Sequence, residues 1–164
     1  MKKSRMSPFL VTALLASSVL LADGANIAAR AGCPSGWFSY KRVCYGYFTE
    51  KMSFYSAEAE CQTYGHGVHL ASIMNDAEAN IITAKLRERG AFDSVWIGLY
   101  DPEERRKWQW IDGSMNIYTK WYSGEPNNLR SEEYCAQLFS PGGLAYWNDE
   151  NCDHNFAFLC KYNP

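Results

Sequence analysis

The sequence predicts an α+β domain in which two helices flank small antiparallel sheets and a long loop carries a cluster of polar residues. Two segments place apolar residues three and four positions apart, which is the pattern of helices with one buried face. Several short runs of aromatic and β-branched residues, bounded by turn residues, indicate strands. Six cysteines lie between residues 33 and 160, and in a secreted chain such a set indicates disulfide bonds.

The N-terminal segment, residues 1–24, has the parts of a secretory signal peptide. Basic residues precede an apolar run over residues 8–22, and a small-x-small site follows, with cleavage expected between residues 22 and 29. A membrane anchor is the alternative, but this run is shorter than the ~20 residues that a membrane span needs. We therefore expect a secreted, extracellular protein without membrane insertion.

Size and composition suit one globular domain. The chain has 164 residues, of which 47% are hydrophobic, so a sizeable core is expected. Aromatic residues make up 15%, which suits a domain whose loops are packed with rings. The formal net charge of −2 gives no indication of a nucleic-acid binder.

Both predicted helices begin after a residue that can cap the N-terminus. Ser53 precedes the first helix, and Gly65 ends it. Asn75 precedes the second, Glu78 completes a capping box, and Gly90 ends it. The expected buried residues are Phe54, Ala57, Cys61 and Tyr64 in the first helix and Ala77, Ile81, Ile82, Ala84 and Leu86 in the second.

Strands are predicted on both sides of the helical region. Two aromatic runs around a polar turn indicate an N-terminal hairpin, and a charged, solvated tip at residues 103–107 separates two later strands. A short link joins the two helices at residues 69–73. The expected strands cover residues 37–40, 43–48, 94–99, 108–110, 134–139, 144–147 and 156–161.

Residues 114–131 show little periodicity and are expected to form a long loop, and loops of this length are usually functional or disordered. Trp121 and Tyr122 argue against disorder, and for these rings packing is favoured over sugar stacking. Three carboxylates and two amides gather in and just after the loop: Glu125, Asn127, Glu133, Asn148 and Asp149. Hard oxygen ligands of this kind are the composition of a calcium site.

Seven motifs occur in order along residues 33–161. They are Trp37, His69-Leu70-Ala71-Ser72, Trp96-Ile97-Gly98-Leu99, Trp108-Gln109-Trp110, Glu125-Pro126-Asn127, Trp147-Asn148-Asp149 and Phe158-Leu159-Cys160. Together they resemble the C-type lectin domain in its long form, here expected over residues 33–162. Within that family the chain looks most similar to the regenerating (pancreatic stone) proteins, type IV in particular.

The resemblance also selects the disulfide pairing, since six cysteines alone allow 15 pairings. It implies that Cys33 pairs with Cys44, Cys61 with Cys160, and Cys135 with Cys152. In the family the first bond closes the N-terminal hairpin, the second ties the first helix to the last strand, and the third closes the segment behind the binding loop.

For the polar cluster, the resemblance implies one calcium ion that also binds vicinal hydroxyls of a sugar. The implied calcium and carbohydrate ligands are Glu125, Asn127, Glu133, Asn148 and Asp149. The Glu-Pro-Asn order goes with mannose, N-acetylglucosamine or fucose in this family. A second calcium site is not expected, because Asn128 and Tyr134 stand where that site needs acids.

The sequence leaves three classes of function to compare. A lectin for glycans of microbial surfaces or glycoproteins is favoured. A non-catalytic, regenerating-family-like protein ligand, or an antimicrobial or matrix-associated protein with weak or calcium-independent glycan binding, is the alternative. A hydrolase is disfavoured, because the acids occupy metal-ligand positions and no G-x-S-x-G element occurs. No enzyme activity is expected, and any homo-oligomer would form through the surface of the domain itself.

Overall fold

A computed structural model describes residues 32–164, so the predicted signal peptide over residues 1–24 lies outside the described residues. The described chain forms two α-helices and one connected eight-stranded sheet, which confirms the predicted α+β class. The expectation of small separate sheets is refined, because all strands belong to a single sheet. Within the described residues, no helix is both long and apolar enough to cross a membrane.

The sheet has the spatial order β1-β2-β8-β4-β6-β7, with β3 paired to β8 and β5 paired to β4. All pairs are antiparallel except β4 with β8, which is parallel. The strands are β1 Phe38–Tyr40, β2 Val43–Met52, β3 His69–Leu70, β4 Val95–Tyr100, β5 Gln109–Trp110, β6 Cys135–Leu138, β7 Trp147–Glu150 and β8 Phe156–Tyr162. The helices are α1 Phe54–Thr63 and α2 Asp76–Glu88.

Helix α1 begins and ends close to where its sequence predicts. The Ser53 hydroxyl accepts the backbone N–H of Ser56 at 3.4 Å, as expected of an N-cap. The predicted buried face is right for three of its four residues, but Tyr64 is 44% exposed. Tyr64 is the C-cap rather than a helical residue, so the helical spacing does not apply to its side chain.

Helix α2 has the predicted cap, since the Asn75 side chain accepts the N–H of Glu78 at 3.0 Å. Its buried face is different from the predicted one. Ala77 and Ala84 are exposed and Ile81 is half-buried, so these three assignments are wrong. The face that packs on the core contains Glu78, Ala79, Ile82, Thr83 and Leu86.

Glu78 explains this difference. Its carboxylate accepts hydrogen bonds from Lys161 at 2.9 Å, from Tyr45, and from the Met74 backbone N–H at 2.8 Å. The capping-box carboxylate therefore reaches Met74, one residue before the cap. These partners offset part of the cost of burying the carboxylate, and an apolar pattern alone cannot detect such a residue.

The strand predicted over residues 144–147 is displaced in the structure. Residues 141–146 form turns, with Gly143 and Leu144 at φ angles of 65° and 61°, and β7 begins only at Trp147. The positive φ angles exclude these residues from a ladder. As a result Asn148 and Asp149 lie within a paired strand rather than after one.

The three predicted disulfides are present: Cys33–Cys44, Cys61–Cys160 and Cys135–Cys152. The core forms two groups of buried side chains. One packs Phe54 of α1 against Trp96 and Phe158, and the other packs α2 under Trp147 and its neighbours. Trp147 is fully buried and belongs to the second of these groups.

Candidate functional site

Strand β7 carries two of the five candidate ligand residues. Asn148 and Asp149 are 8% and 0% exposed, and they pair with Gln137 and Ala136 of β6. The Cys135–Cys152 disulfide closes this hairpin just beyond the pairs. These two side chains therefore start from a backbone that is fixed by both a ladder and a covalent bond.

The long loop enters the site alongside β7. Trp147 donates its N–H to the Lys120 carbonyl, and its own carbonyl accepts the N–H of Tyr122, both at 2.8 Å. The Trp121 ring packs at its edge against Trp147, with ring centroids 5.8 Å apart, so the prediction of packing is confirmed for this residue. A turn then follows, in which the Glu125 N–H donates to the Tyr122 carbonyl at 2.9 Å.

The Glu125-Pro126 peptide bond after this turn is cis. The N–H of Asn127 donates to Glu125 Oε2 at 3.1 Å and to Asp149 Oδ1 at 3.0 Å. The N–H of Asn128 donates to Asp149 Oδ2 at 2.7 Å. Glu125 of the loop and Asp149 of β7 therefore lie side by side, although 24 positions separate them.

Glu133 joins the site through a turn that contains the short 3₁₀ helix Leu129–Ser131. Its Oε2 accepts the N–H of Leu129 at 2.8 Å, and its backbone N–H donates to Asn128 Oδ1 at 3.0 Å. Asn128 has φ 48° and ψ 55°, a left-handed conformation that asparagine tolerates. Asn128 therefore shapes the turn that brings Glu133 back to the loop.

The electrostatics of the cluster favour a cation. Burial raises the pKa of Glu125 to about 7, helped by the hydrogen bond and charge of Asp149 and opposed by the Asn127 N–H. Burial also raises the pKa of Glu133, opposed by the Leu129 N–H, while Asp149 and Glu150 add to the rise. Negative charge is therefore concentrated here beyond what the backbone donors compensate.

The donor set suits calcium, which prefers six to eight oxygen ligands with flexible geometry. Glu125, Glu133 and Asp149 supply carboxylates, and the amide nitrogen of Asn148 donates to the Asp149 carbonyl, so its side-chain oxygen is left for a ligand. In the described part of the chain, however, no three His, Cys, Asp or Glu side chains converge closely enough to form a ready-made metal site. The carboxylates are instead directed at backbone N–H groups.

Two contributors to the site could not be found by sequence reasoning. One is the turn-forming role of Asn128, for which an asparagine in a polar loop is only a general signal. The other is Arg106, from the turn expected to be simply solvated. Its Nη2 donates to the Asn127 carbonyl at 3.5 Å, which places a cation beside the loop. No periodicity in the sequence connects residues 106 and 127.

Comparison with known proteins agrees with this architecture. A model of the family described as "Lectin C-type domain" matches residues 50–162. Regenerating islet-derived protein 4 of Homo sapiens is 39% identical over 164 residues, which covers 100% of both chains.

Solved structures show the same similarity. The crystal structure of human lithostathine superposes with a TM-score of 0.78 and 34% identity, covering 83% of this chain and 94% of that one. The cow C-type carbohydrate-recognition domain of CD23, determined in the presence of a GlcNAc2Man3 oligosaccharide, has a TM-score of 0.71 and 25% identity. That match covers 81% of this chain and 97% of that one.

Proposed function

This chain belongs to the C-type lectin domain family, and from that premise we propose that it is a secreted lectin whose calcium ion binds glycans of the mannose, N-acetylglucosamine or fucose type. The observation that carries the proposal is the pairing of Glu125 with Asp149 around the shared Asn127 N–H. Two carboxylates held this close can either share a proton or bind a cation between them, and calcium is a cation that suits this set of oxygen ligands.

The proposed ligands of the single calcium ion are Glu125, Asn127, Glu133, Asn148 and Asp149. When bound, the ion holds two vicinal sugar hydroxyls by their oxygen atoms. A hydroxyl can also donate to a carboxylate and accept from an amide N–H. Glu125 and Glu133 are the proposed acceptors, and Asn127 and Asn148 are the proposed donors. A mixture of acids and amides therefore satisfies both hydroxyls.

The glycan class is supported by two observations. Glu125 precedes a proline and Asn127, the order that in the resembling family goes with equatorial hydroxyls. The cow CD23 domain, which shares the fold, was determined in the presence of an oligosaccharide that contains mannose and N-acetylglucosamine. We propose glycans of microbial surfaces or glycoproteins as the partners, and secretion through the N-terminal signal over residues 1–24.

A glycoside hydrolase needs a protonated acid close to an ionised carboxylate, and a Glu125 with a pKa of about 7 beside Asp149 has that form. We nevertheless propose a non-catalytic protein. The relatives found are lectins and regenerating-family proteins. Asp149 is also fully buried and accepts two backbone N–H groups of the loop. It therefore holds the loop in position and is not accessible as a nucleophile.

A second candidate function is a regenerating-family-like protein ligand, or an antimicrobial or matrix-associated protein, with weak or calcium-independent glycan binding. The observation in its favour is the absence, within the described residues, of a group of three acids or histidines already gathered for a metal. The similarity to regenerating islet-derived protein 4, which extends over the whole length, points the same way.

Calorimetric titration separates the two candidates. The mature protein is titrated with calcium, and then with methyl α-mannoside and methyl β-galactoside, with and without EDTA. The lectin proposal expects one calcium per chain and mannoside binding that EDTA abolishes. Mannoside binding that persists in EDTA would support the second candidate instead. Glu132→Gln serves as a control for Glu133→Gln, because Glu132 is an adjacent acid outside the proposed ligand set.

A further inference from the structure

A second acid-rich feature lies beside the proposed sugar site but shares no side chain with it. It is an open cavity of about 480 Å³ between the start of α1, the turn after β4 and the Cys135–Cys152 disulfide. None of the five proposed calcium ligands lines it. Four of the lining residues are acidic and none is basic; the acids are Asp101, Glu104, Glu132 and Asp153.

Asp101 gives this cavity a buried, uncompensated charge. The residue is 2% exposed, and its Oδ2 accepts the Arg106 backbone N–H at 2.5 Å. Its Oδ1 is buried and has no hydrogen-bond partner in the described part of the chain. Buried polar atoms are almost always partnered, because an unpaired one loses its hydration without a replacement. The unpaired oxygen of Asp101 is the feature of this cavity that a cationic ligand would neutralise.

The two arginines of the turn after Asp101 make other contacts. The guanidinium of Arg106 is directed at the Asn127 carbonyl, 3.5 Å away, on the side of the loop. Arg105 is paired with Glu103 at 3.5 Å on the same exposed turn. The cavity therefore has an excess of negative charge and is open to solvent.

The walls favour an organic cation over a metal ion. Tyr55 is 54% exposed at the cavity, and Tyr134 also lines it. The pKa of Tyr55 is raised by burial first and then by nearby Tyr100, Asp153 and Glu104, so the acids act on this ring. Flat guanidinium groups stack on aromatic rings and fork onto carboxylates.

The volume of the cavity also favours an organic cation over a metal ion. The cavity is far larger than the ~30 Å³ share of one water molecule, so it has room for a side chain rather than a bare ion. We propose that this acid-lined cavity, built on Asp101 and flanked by Tyr55, binds an arginine side chain of a polypeptide partner.

The test uses an acetylated, amidated tetra-arginine peptide as the probe and a tetra-citrulline peptide as its neutral, isosteric control. Both are titrated into the ¹⁵N-labelled mature protein in EDTA, so that the outcome does not depend on the proposed calcium and sugar site. We expect amide shifts centred on Tyr55, Ser131 and Asp153 with the arginine peptide, and none with the citrulline peptide.

Two matched double variants remove the same number of charges. Glu104→Gln with Glu132→Gln, at the cavity, should weaken arginine-peptide binding by about 3-fold or more. Glu50→Gln with Glu88→Gln, on exposed surfaces elsewhere, should leave the affinity unchanged.

Three outcomes would overturn the proposal. Equal weakening in the two double variants would mean that the peptide responds only to net charge. Amide shifts spread over the whole acidic surface would also mean that the peptide responds only to net charge. If calcium alone, added without EDTA or peptide, shifts the amides of Tyr55 and Asp153, the cavity is a metal site. If the protein fails to bind mannoside but still shows the amide shifts with the arginine peptide, this proposal is supported and the lectin proposal is contradicted.

Discussion

Glu125 and Asp149 share one backbone donor, because the N–H of Asn127 lies 3.1 Å from Glu125 Oε2 and 3.0 Å from Asp149 Oδ1. One donor divided between two acids cannot satisfy both charges. Burial is the main cause that raises the pKa of Glu125 to about 7, and the hydrogen bond and charge of Asp149 add to the rise. Without a bound cation, the site is therefore a source of instability at neutral pH.

The first prediction concerns pH and stability without metal. A raised pKa means that folded Glu125 binds a proton that the unfolded chain releases near pH 4.5, so the ionised carboxylate costs stability as pH rises from about 4.5 to about 7. In EDTA, Glu125→Gln should be more stable than wild type at pH 8, by about 1 kcal/mol after allowance for solvent screening. The gain should vanish at pH 4.5. Urea unfolding at the two pH values measures it, and an equal gain at both would contradict the assigned cause.

The second prediction concerns metal addition. If calcium binds the folded protein alone, calcium at 100 times its dissociation constant should raise the free energy of unfolding by about 2.7 kcal/mol. Asp149→Asn should remove that response, since the variant loses the carboxylate that is central to the cluster. Thermal unfolding with calcium and with EDTA measures the difference. Magnesium is the control ion, because its smaller, stricter octahedron suits this flexible set poorly.

A third prediction concerns sugar preference. Glu125→Gln combined with Asn127→Asp exchanges the acid and the amide around Pro126. Hydroxyls of different geometry should then be preferred, and binding should move from mannoside towards galactoside. Competition on mannan with the two methyl glycosides measures the change. An unchanged preference with calcium still bound would show that these side chains do not contact the sugar directly.

The fourth prediction concerns the different effects of two disulfide bonds on stability and on calcium affinity. Cys61–Cys160 closes a ring of 99 positions and Cys135–Cys152 one of 17. On the loop-entropy model their loss costs about 4.7 and about 3 kcal/mol, respectively. Replacing the first pair by alanine should reduce stability most, measured by urea unfolding. Replacing the second should disturb the β6–β7 hairpin and reduce calcium affinity beyond its effect on stability. Equal effects of the two on calcium affinity would argue against this division.

The fifth prediction concerns the buried ion pair between Lys161 and Glu78, whose side chains are 7% and 6% exposed. Lys161→Met leaves Glu78 buried without its cation and should cost about 3–5 kcal/mol. Adding Glu78→Gln to this variant should restore part of the loss. Lys51→Met, which breaks the exposed pair with Asp93, is the control and should change stability little. A non-additive double-mutant cycle in urea is the expected signature.

The elements that could be predicted from sequence are those with a local cause. Ser53 and Asn75 cap their helices because a short polar side chain can reach an N–H three residues away. The elements that were missed depend on partners distant in sequence. Glu78 belongs to the buried face of α2 only because Lys161, 83 positions away, neutralises it.

The candidate site divides in the same way. The identity of its five polar residues is visible in the sequence, and so is the packing of Trp121. The placement of Glu125 beside Asp149 is not visible, since it depends on the start of β7 at Trp147. The return of Glu133 to the loop is not visible either, since it depends on the left-handed turn at Asn128. Likewise Arg106 reaches Asn127 only through the folded turn.

Some of the proposed ligands lie on a strand and others on a loop. The two parts of the site therefore differ in how well they tolerate substitutions and insertions. Asn148 and Asp149 belong to a ladder, so a shift of one residue in the β6–β7 register would turn each side chain to the opposite face of the sheet. Glu125 and Asn127 stand on a loop, where length and composition can vary while the sheet stays intact. New binding preferences in this fold should therefore arise through changes in the loop sequence, while β7 stays the same in each resulting site.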